Sequence, residues 1–174
     1  MAKLEAEIGR LIREYQAKTG RQLTIGTVES ATGGRIADRI TNVPGSSDYF
    51  KGSVVAYSNE AKVALLGVKK ATIEKYGAVS EQTALEMARG GRKLLDVDIC
   101  VSDTGIAGPS GATPKKPVGL FYLGLAAKDG SLSRKYVFQG NREGNKRDAT
   151  EAALNMLKEY LLRPVKAKGC SARL

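Results

Sequence analysis

"TIGTVESATGGRIADRI" (residues 24–40) passes from a β-branched, apolar run through Ser30 and the glycine pair Gly33–Gly34 into a pattern that carries Ile36, Ala37 and Ile40 at helical spacing. Such a run, followed by turn residues and then a 3.6-residue period, predicts a buried strand, a loop and a helix in succession. Toward the N-terminus, Leu4, Ile8, Leu11, Ile12 and Tyr15 recur at helical spacing, and "TGRQ" closes that helix with a glycine at its end. Toward the C-terminus, "NVPGSSDYF" breaks the second helix, and "GSVVAYS" reads as a strand delivering Tyr57 and Ser58 to its end. Ser58 or Asn59 then caps a short helix, "NEAKVALLG", which carries Lys62 and is expected to bury Val63, Leu65 and Leu66 before stopping at Gly67.

The remaining pattern repeats this logic. Ser80 opens "SEQT" ahead of a helix with Ala84, Met87, Ala88, Leu94 and Leu95, and "VDICVSDTGIAGP" is a strand running into a glycine-rich loop. "VGLFYLGLAA" and "RKYVFQ" flank the hairpin turn "KDGS". A last helix starts near Arg142 and presents Ala149, Ala152, Ala153, Met156, Leu157 and Tyr160. Strands alternating with helices, plus one antiparallel hairpin, predict an α/β sandwich with a mixed sheet.

The chain of 174 residues has the length of one domain, expected over residues 1–162 and followed by a basic tail, 163–174, with Arg163, Lys166, Lys168 and Arg173. Its two cysteines make neither a disulfide framework nor a zinc spacing, and the N-terminus lacks the apolar core of a signal peptide, so a cytoplasmic protein without a membrane span is expected. A net charge of +10 biases the surface toward anionic partners.

Three loops follow strand ends: "ESATGG", "YSNEAK" and "DTGIAGPSGATPKKP". Ligands of open α/β sheets bind outside the carboxyl ends of the strands, so these loops are expected to meet at one site. The chain has no histidine, so Ser30 cannot use an imidazole base. Tyr57, Lys62 or a carboxylate must replace it if Ser30 is a nucleophile; a solvated surface lysine is the alternative for Lys62. Thr32, Gly33 and Gly34 sit at a predicted helix N-terminus suited to an anion or an oxyanion, with a plain N-cap at Thr32 as the alternative. Thr104 and Gly105 open the third loop, which has no Walker pattern, so nucleoside triphosphate hydrolysis is disfavoured. Arg142, with Lys146 and Arg147, offers cations where a phosphate would also find helix N-terminal donors.

Taken together, "VESATGGRIADRIT", "VPGSSDYFKGSVVAYSNEAKVALLGV", "GAVSEQTALEMARG", "DTGIAGPSGATPKKPVGLFYLGL" and "GNREGNKRDATEAAL" resemble the C-terminal domain family of the competence/damage-inducible protein CinA, over about residues 4 to 162. The resemblance implies a three-layer α/β/α fold and a nicotinamide-nucleotide amidase that converts nicotinamide mononucleotide to nicotinate mononucleotide and ammonia, with no metal and no cofactor. It implies Ser30 as nucleophile, Lys62 as base and Tyr57 as a hydroxyl that relays or positions the proton. Thr32, Gly33, Gly34, Thr104 and Gly105 would hold the oxyanion or carboxamide, and Arg142 with Ser46 and Ser47 the phosphate.

Two departures stand out: Ala31 where many relatives carry Cys, and Asn141 where an Asp is frequent. The large N-terminal domain fused to this module in CinA is absent, so a stand-alone version is expected. A homo-oligomer is expected from the size class. A nucleic-acid-binding module fits the charge, but 6% aromatic residues with no Trp leave few stacking platforms, so nucleic acid is not the expected partner. A nucleotide-binding protein without turnover is the remaining alternative.

Overall fold

A computed structural model describes residues 3–163 of the chain. Apart from Arg163, the basic tail lies outside the described residues. The elements follow in the order α1 (Leu4–Thr19), β1 (Ile25–Glu29), α2 (Arg35–Thr41), a 3-10 turn (Ser46–Asp48), β2 (Phe50–Val55), α3 (Asn59–Leu66), α4 (Lys70–Tyr76), α5 (Glu81–Leu94), β3 (Ile99–Gly105), β4 (Leu120–Ala127), β5 (Gly130–Val137) and α6 (Arg142–Leu161).

The strands form one five-stranded mixed sheet in the order β2-β1-β3-β4-β5. β1 runs parallel to both neighbours, with Thr27 opposite Ser53 and Val28 opposite Ser102, and the late hairpin adds β4 and β5 antiparallel. From β1 the chain moves one way to β2, then back past β1 to β3. Right-handed crossovers taken in opposite directions leave their helices on opposite faces, which makes the three layers. α1, α2 and α6 pack on one face, and α3, α4 and α5 on the other. The two crossovers diverge at the carboxyl end of β1, and that is where a crevice opens.

β1 is buried at all five residues, as expected of a strand covered on both sides. Its alternation divides the core. Ile25 joins Ile8, Ile12, Ile36, Ile40, Leu123, Leu154 and Leu157 on one face. Val28 joins Leu66, Val68, Met87 and Cys100 on the other. Each such side chain contributes about 1.5–3 kcal/mol when fully buried. On the second face α5 approaches its neighbours unusually closely: a Cβ at Gly90 would stand 1.8 Å from the Leu66 carbonyl oxygen, and one at Gly91 2.3 Å from a Val28 methyl. Only glycine permits this contact, which seats the end of α3 directly on α5.

The apolar side expected for α3 is not the one it buries. α3 does not bury Val63 and Leu65 as its core side; its buried positions are Lys62 and Leu66, and Leu65 is half exposed. The helix is rotated so that the i, i+4 pair Lys62/Leu66 faces inward. Leu94, read as part of the buried stripe of α5, is likewise exposed. α4 has only seven residues and no clear apolar period; it is held from outside, by the Glu86 carboxylate, which accepts from the Lys69 N–H and the Thr72 hydroxyl.

Candidate active site

Ser30 follows β1 directly, and Lys62 lies in the first turn of α3, whose start is fixed by the Ser58 hydroxyl accepting from the Ala61 N–H at 3.0 Å. The Lys62 Nζ stands 3.0 Å from the Ser30 Oγ. It also donates to the Ala56 and Tyr57 carbonyl oxygens at 2.9 and 3.1 Å. Lys62 is only 2% exposed, so it is not a solvated surface lysine. Burial pulls its pKa below the ordinary lysine range, against the nearby Asp103 carboxyl, which pushes it back up. In the amine form, two N–H groups satisfy the two carbonyls and the lone pair is left for the Ser30 hydroxyl. A buried hydroxyl and a desolvated amine in contact have the chemistry to act as nucleophile and base without imidazole.

The pair opens into a crevice of about 280 Å³ lined by Ser30, Tyr57, Lys62, Thr104, Gly105 and Arg142, among others. The strand-end loops thus meet, as their topology requires. Tyr57 is placed differently from a proton relay. Its ring is 61% exposed, and its hydroxyl accepts from the Arg142 guanidinium at 3.2 Å rather than bonding to Ser30 or Lys62. The same guanidinium donates to the Gly108 carbonyl at 2.8 Å, clasping the glycine-rich loop. One turn further along α6, the buried Asn145 side chain donates to the Ala107 carbonyl and accepts from the Gly140 N–H. Asn141 caps α6 by accepting from the Gly144 N–H, a duty Asn and Asp perform equally well, so the departure at this position leaves Arg142 anchored.

The turn and helix N-terminus behind Ser30 are already filled by the protein's own carboxyl groups. Glu29 accepts from the N–H groups of Gly34, Ile36 and Ala37, and Asp103 accepts from those of Ser30, Ala31 and Thr32. The Thr32 hydroxyl bonds to both carboxylates, and Thr32 is fully buried. Thr32 therefore faces away from the crevice, is not the N-cap (Gly34 occupies that position), and has no N–H to give an oxyanion; the Gly34 N–H is likewise taken. Gly33 and Gly34, with φ of +67° and +97°, shape the turn. The Thr104 hydroxyl is also occupied, donating to the Ala78 carbonyl at 2.8 Å. Gly105 differs. The Ile106 N–H bonds β4 through the Leu120 carbonyl, and alternate residues of an antiparallel ladder point opposite ways, so the Gly105 N–H points off the ladder toward the space where β1 has ended.

Ser46 and Ser47 do not join this site. They lie in the 3-10 turn before β2, at the amino end of the sheet, about 15–20 Å of strand away from Tyr57. Within one chain they share no phosphate site with Arg142. Asp103, Glu29 and Asn145 are not among the residues the sequence singles out, because each acts through backbone groups: Asp103 and Asn145 on a distant loop, Glu29 on the turn and helix that follow its own strand. The one signal for Asp103 and Glu29 is a carboxylate at the end of an otherwise apolar strand.

The CinA C-terminal domain model matches residues 3–161. A protein of Halothermothrix orenii named for competence-damage induction is 52% identical over 159 residues, covering 91% of this chain and 37% of the relative. A CinA-like protein of Endomicrobium trichonymphae is 48% identical over 159 residues, covering 91% and 36%. The chain thus spans little more than a third of these relatives. The crystal structure of a competence/damage inducible protein from Agrobacterium tumefaciens superposes with a TM-score of 0.84 at 36% identity, covering 94% of this chain and 98% of that one. Shared motifs, shared fold and near-complete coverage together assign this chain to the CinA C-terminal domain family.

Proposed function

We propose that the crevice hydrolyses a carboxamide, and that its substrate is nicotinamide mononucleotide. The observation carrying this reading is the buried 3.0 Å contact between Lys62 Nζ and Ser30 Oγ. Lys62 takes the Ser30 proton as Oγ bonds to the carboxamide carbon. The resulting oxyanion lies against the Gly105 N–H, a type of donor whose removal typically costs about 2.7–4 kcal/mol of transition-state stabilisation. Collapse breaks the C–N bond, and the Lys62 ammonium returns its proton to the departing ammonia. Water, deprotonated by Lys62, then attacks the acyl-Ser30 ester; the ester bond breaks, Ser30 recovers its proton, and nicotinate mononucleotide leaves. Arg142, exposed at the mouth and held by Tyr57 and Gly108, supplies the charge for the phosphate.

The test is to incubate the protein with nicotinamide mononucleotide, and separately with the riboside, without added metal, and to identify products by mass. Nicotinate mononucleotide and equimolar ammonia are expected. Thermal stabilisation by the mononucleotide with no product would contradict hydrolysis and leave a binding protein.

A further inference from the structure

A hydroxyl has one proton, and Thr32 has two carboxylates against it. The Thr32 Oγ1 lies 2.6 Å from Glu29 Oε2 and in hydrogen-bond contact with Asp103 Oδ1. If both carboxylates were ionised, one of these contacts would set lone pairs against lone pairs in a fully buried site, because Glu29, Thr32 and Asp103 are each fully buried. We propose that the Glu29–Thr32–Asp103 chain retains one shared proton at neutral pH, so that the two carboxyl groups carry a single negative charge and leave Lys62 without a counter-ion.

The geometry also says where the proton resides. Glu29 receives three N–H groups at the start of α2, where the helix dipole favours an anion, and its other oxygen faces the Thr27 and Ser53 hydroxyls at 3.4 and 3.5 Å. Asp103 receives three N–H groups from a turn, without a helix dipole aimed at it. The acid form therefore belongs to Asp103: its O–H donates to Thr32 Oγ1, and the Thr32 hydroxyl donates to Glu29. Burial pushes the Asp103 carboxyl up to about 6, against the Thr32 hydroxyl and the Ser30 and Thr32 N–H groups, which hold it down, and with the Glu29 charge as a smaller upward push; this favours the acid form without by itself reaching neutral pH.

The charged groups facing this chain are few. Lys62 reaches it from α3, and Lys146 comes from α6, its Nζ 3.4 Å from where a Gly33 Cβ would stand. From β2 comes only the Ser53 hydroxyl, and the β4 residue opposite Asp103 is Leu123. On α5, Glu86 is tied to Lys69 and Thr72, Arg89 to Ser131 and Arg92 to the Asp98 carbonyl, so none of them turns to Asp103.

The consequence is control of the base. An ionised Asp103 would favour the Lys62 ammonium, which cannot accept the Ser30 proton; a protonated Asp103 leaves desolvation unopposed, and the amine persists to lower pH. Asp103 is a positioning residue: its backbone acceptor bonds set the Ser30 turn, and its proton sets the charge state of Lys62. The proton count stands without the amidase reading; only its effect on turnover rests on it.

The direct test is the 13C carboxyl resonance of Asp103, assigned by its loss in Asp103→Asn, followed in the intact protein from pH 5 to 9. A carboxylic-acid shift persisting at pH 7 is expected, and Thr32→Val, which removes the acceptor of that proton, should make Asp103 ionise at lower pH while Thr32→Ser restores the original titration. A carboxylate shift already present at pH 7 in the unmodified protein overturns the proposal. Turnover gives a second readout. In Asp103→Asn the acid limb of the pH–rate profile should stay within about half a pH unit of the parent, because a neutral group replaces a neutral group; a fall of a unit or more shows that a charge was lost and overturns it as well. An acid-form Asp103 in a protein that releases no ammonia leaves the shared proton standing and removes the amidase reading alone.

Discussion

Two pairs of a basic side chain and a hydroxyl face the crevice, and they differ in nearly every physical respect. Lys62 and Ser30 are buried, lie in contact with each other, and Lys62 has its hydrogen bonds filled by protein groups. Arg142 and Tyr57 are exposed at the mouth, where water competes for each contact. Desolvation can turn a lysine into a base, whereas a guanidinium stays charged everywhere and serves to hold anions. On the proposed reading the first pair serves chemistry and the second recognition, so damage to the first should lower kcat and damage to the second should raise KM.

The largest expected effect is that of Lys62→Met. Ammonia release from the mononucleotide at pH 7 should fall by roughly a thousandfold or more, with KM little changed, as for loss of a general base that acts with its nucleophile. A normal pH–rate profile in this variant would remove Lys62 from the base role. The same variant has a stability signature. The folded-state pKa of Lys62 is depressed, so the native protein binds fewer protons than the unfolded chain between that pKa and about 10.4, and the parent protein gains stability as pH rises through this window. Below the folded pKa the burial penalty is fully present. Lys62→Met should therefore hold its greatest advantage over the parent near pH 6 and lose it toward pH 10 in urea melts.

Arg142→Ala should come next, raising KM for the mononucleotide about tenfold or more while barely affecting the riboside, as expected for loss of a charge-assisted bond of about 1.5–3 kcal/mol. Equal effects on both substrates would break the division between the two pairs. Tyr57→Phe removes the hydroxyl that steadies Arg142 and should raise KM only a few-fold, leaving the acid limb of kcat in place. A large loss of kcat would restore Tyr57 to the proton relay. Smallest of all, Arg35→Ala, which breaks an exposed ion pair with Glu143, should leave the melting temperature unchanged, since such pairs contribute little.

Much of this arrangement is legible in the sequence, for reasons that are local. The strand, turn and helix around Ser30 are encoded by adjacent residues, and so are the Ser58, Ser80 and Asn141 caps and the turn at Lys128 and Asp129. Topology alone then brings the three loops together. What escaped the sequence depends on contacts between distant segments. Lys62 faces inward, held by the Ala56 and Tyr57 carbonyls and Ser30, and nothing in "NEAKVALLG" records that. The helix N-terminus at Gly34 looked free because its anion, Glu29, comes from the strand before it, while Asp103 reaches the Ser30 turn from across the sheet. Ser46 and Ser47 looked usable until the direction of β2 put them at the opposite end.

The proposed hydrolysis requires an imidazole-free crevice in which Lys62 makes Ser30 a nucleophile. Acid quenching during turnover of the mononucleotide, followed by peptide mass mapping, tests this most directly. A nicotinoyl-nucleotide ester on the peptide containing Ser30, absent in Ser30→Ala and strongly reduced in Lys62→Met, is the predicted result. Undiminished ammonia release by Ser30→Ala would contradict it.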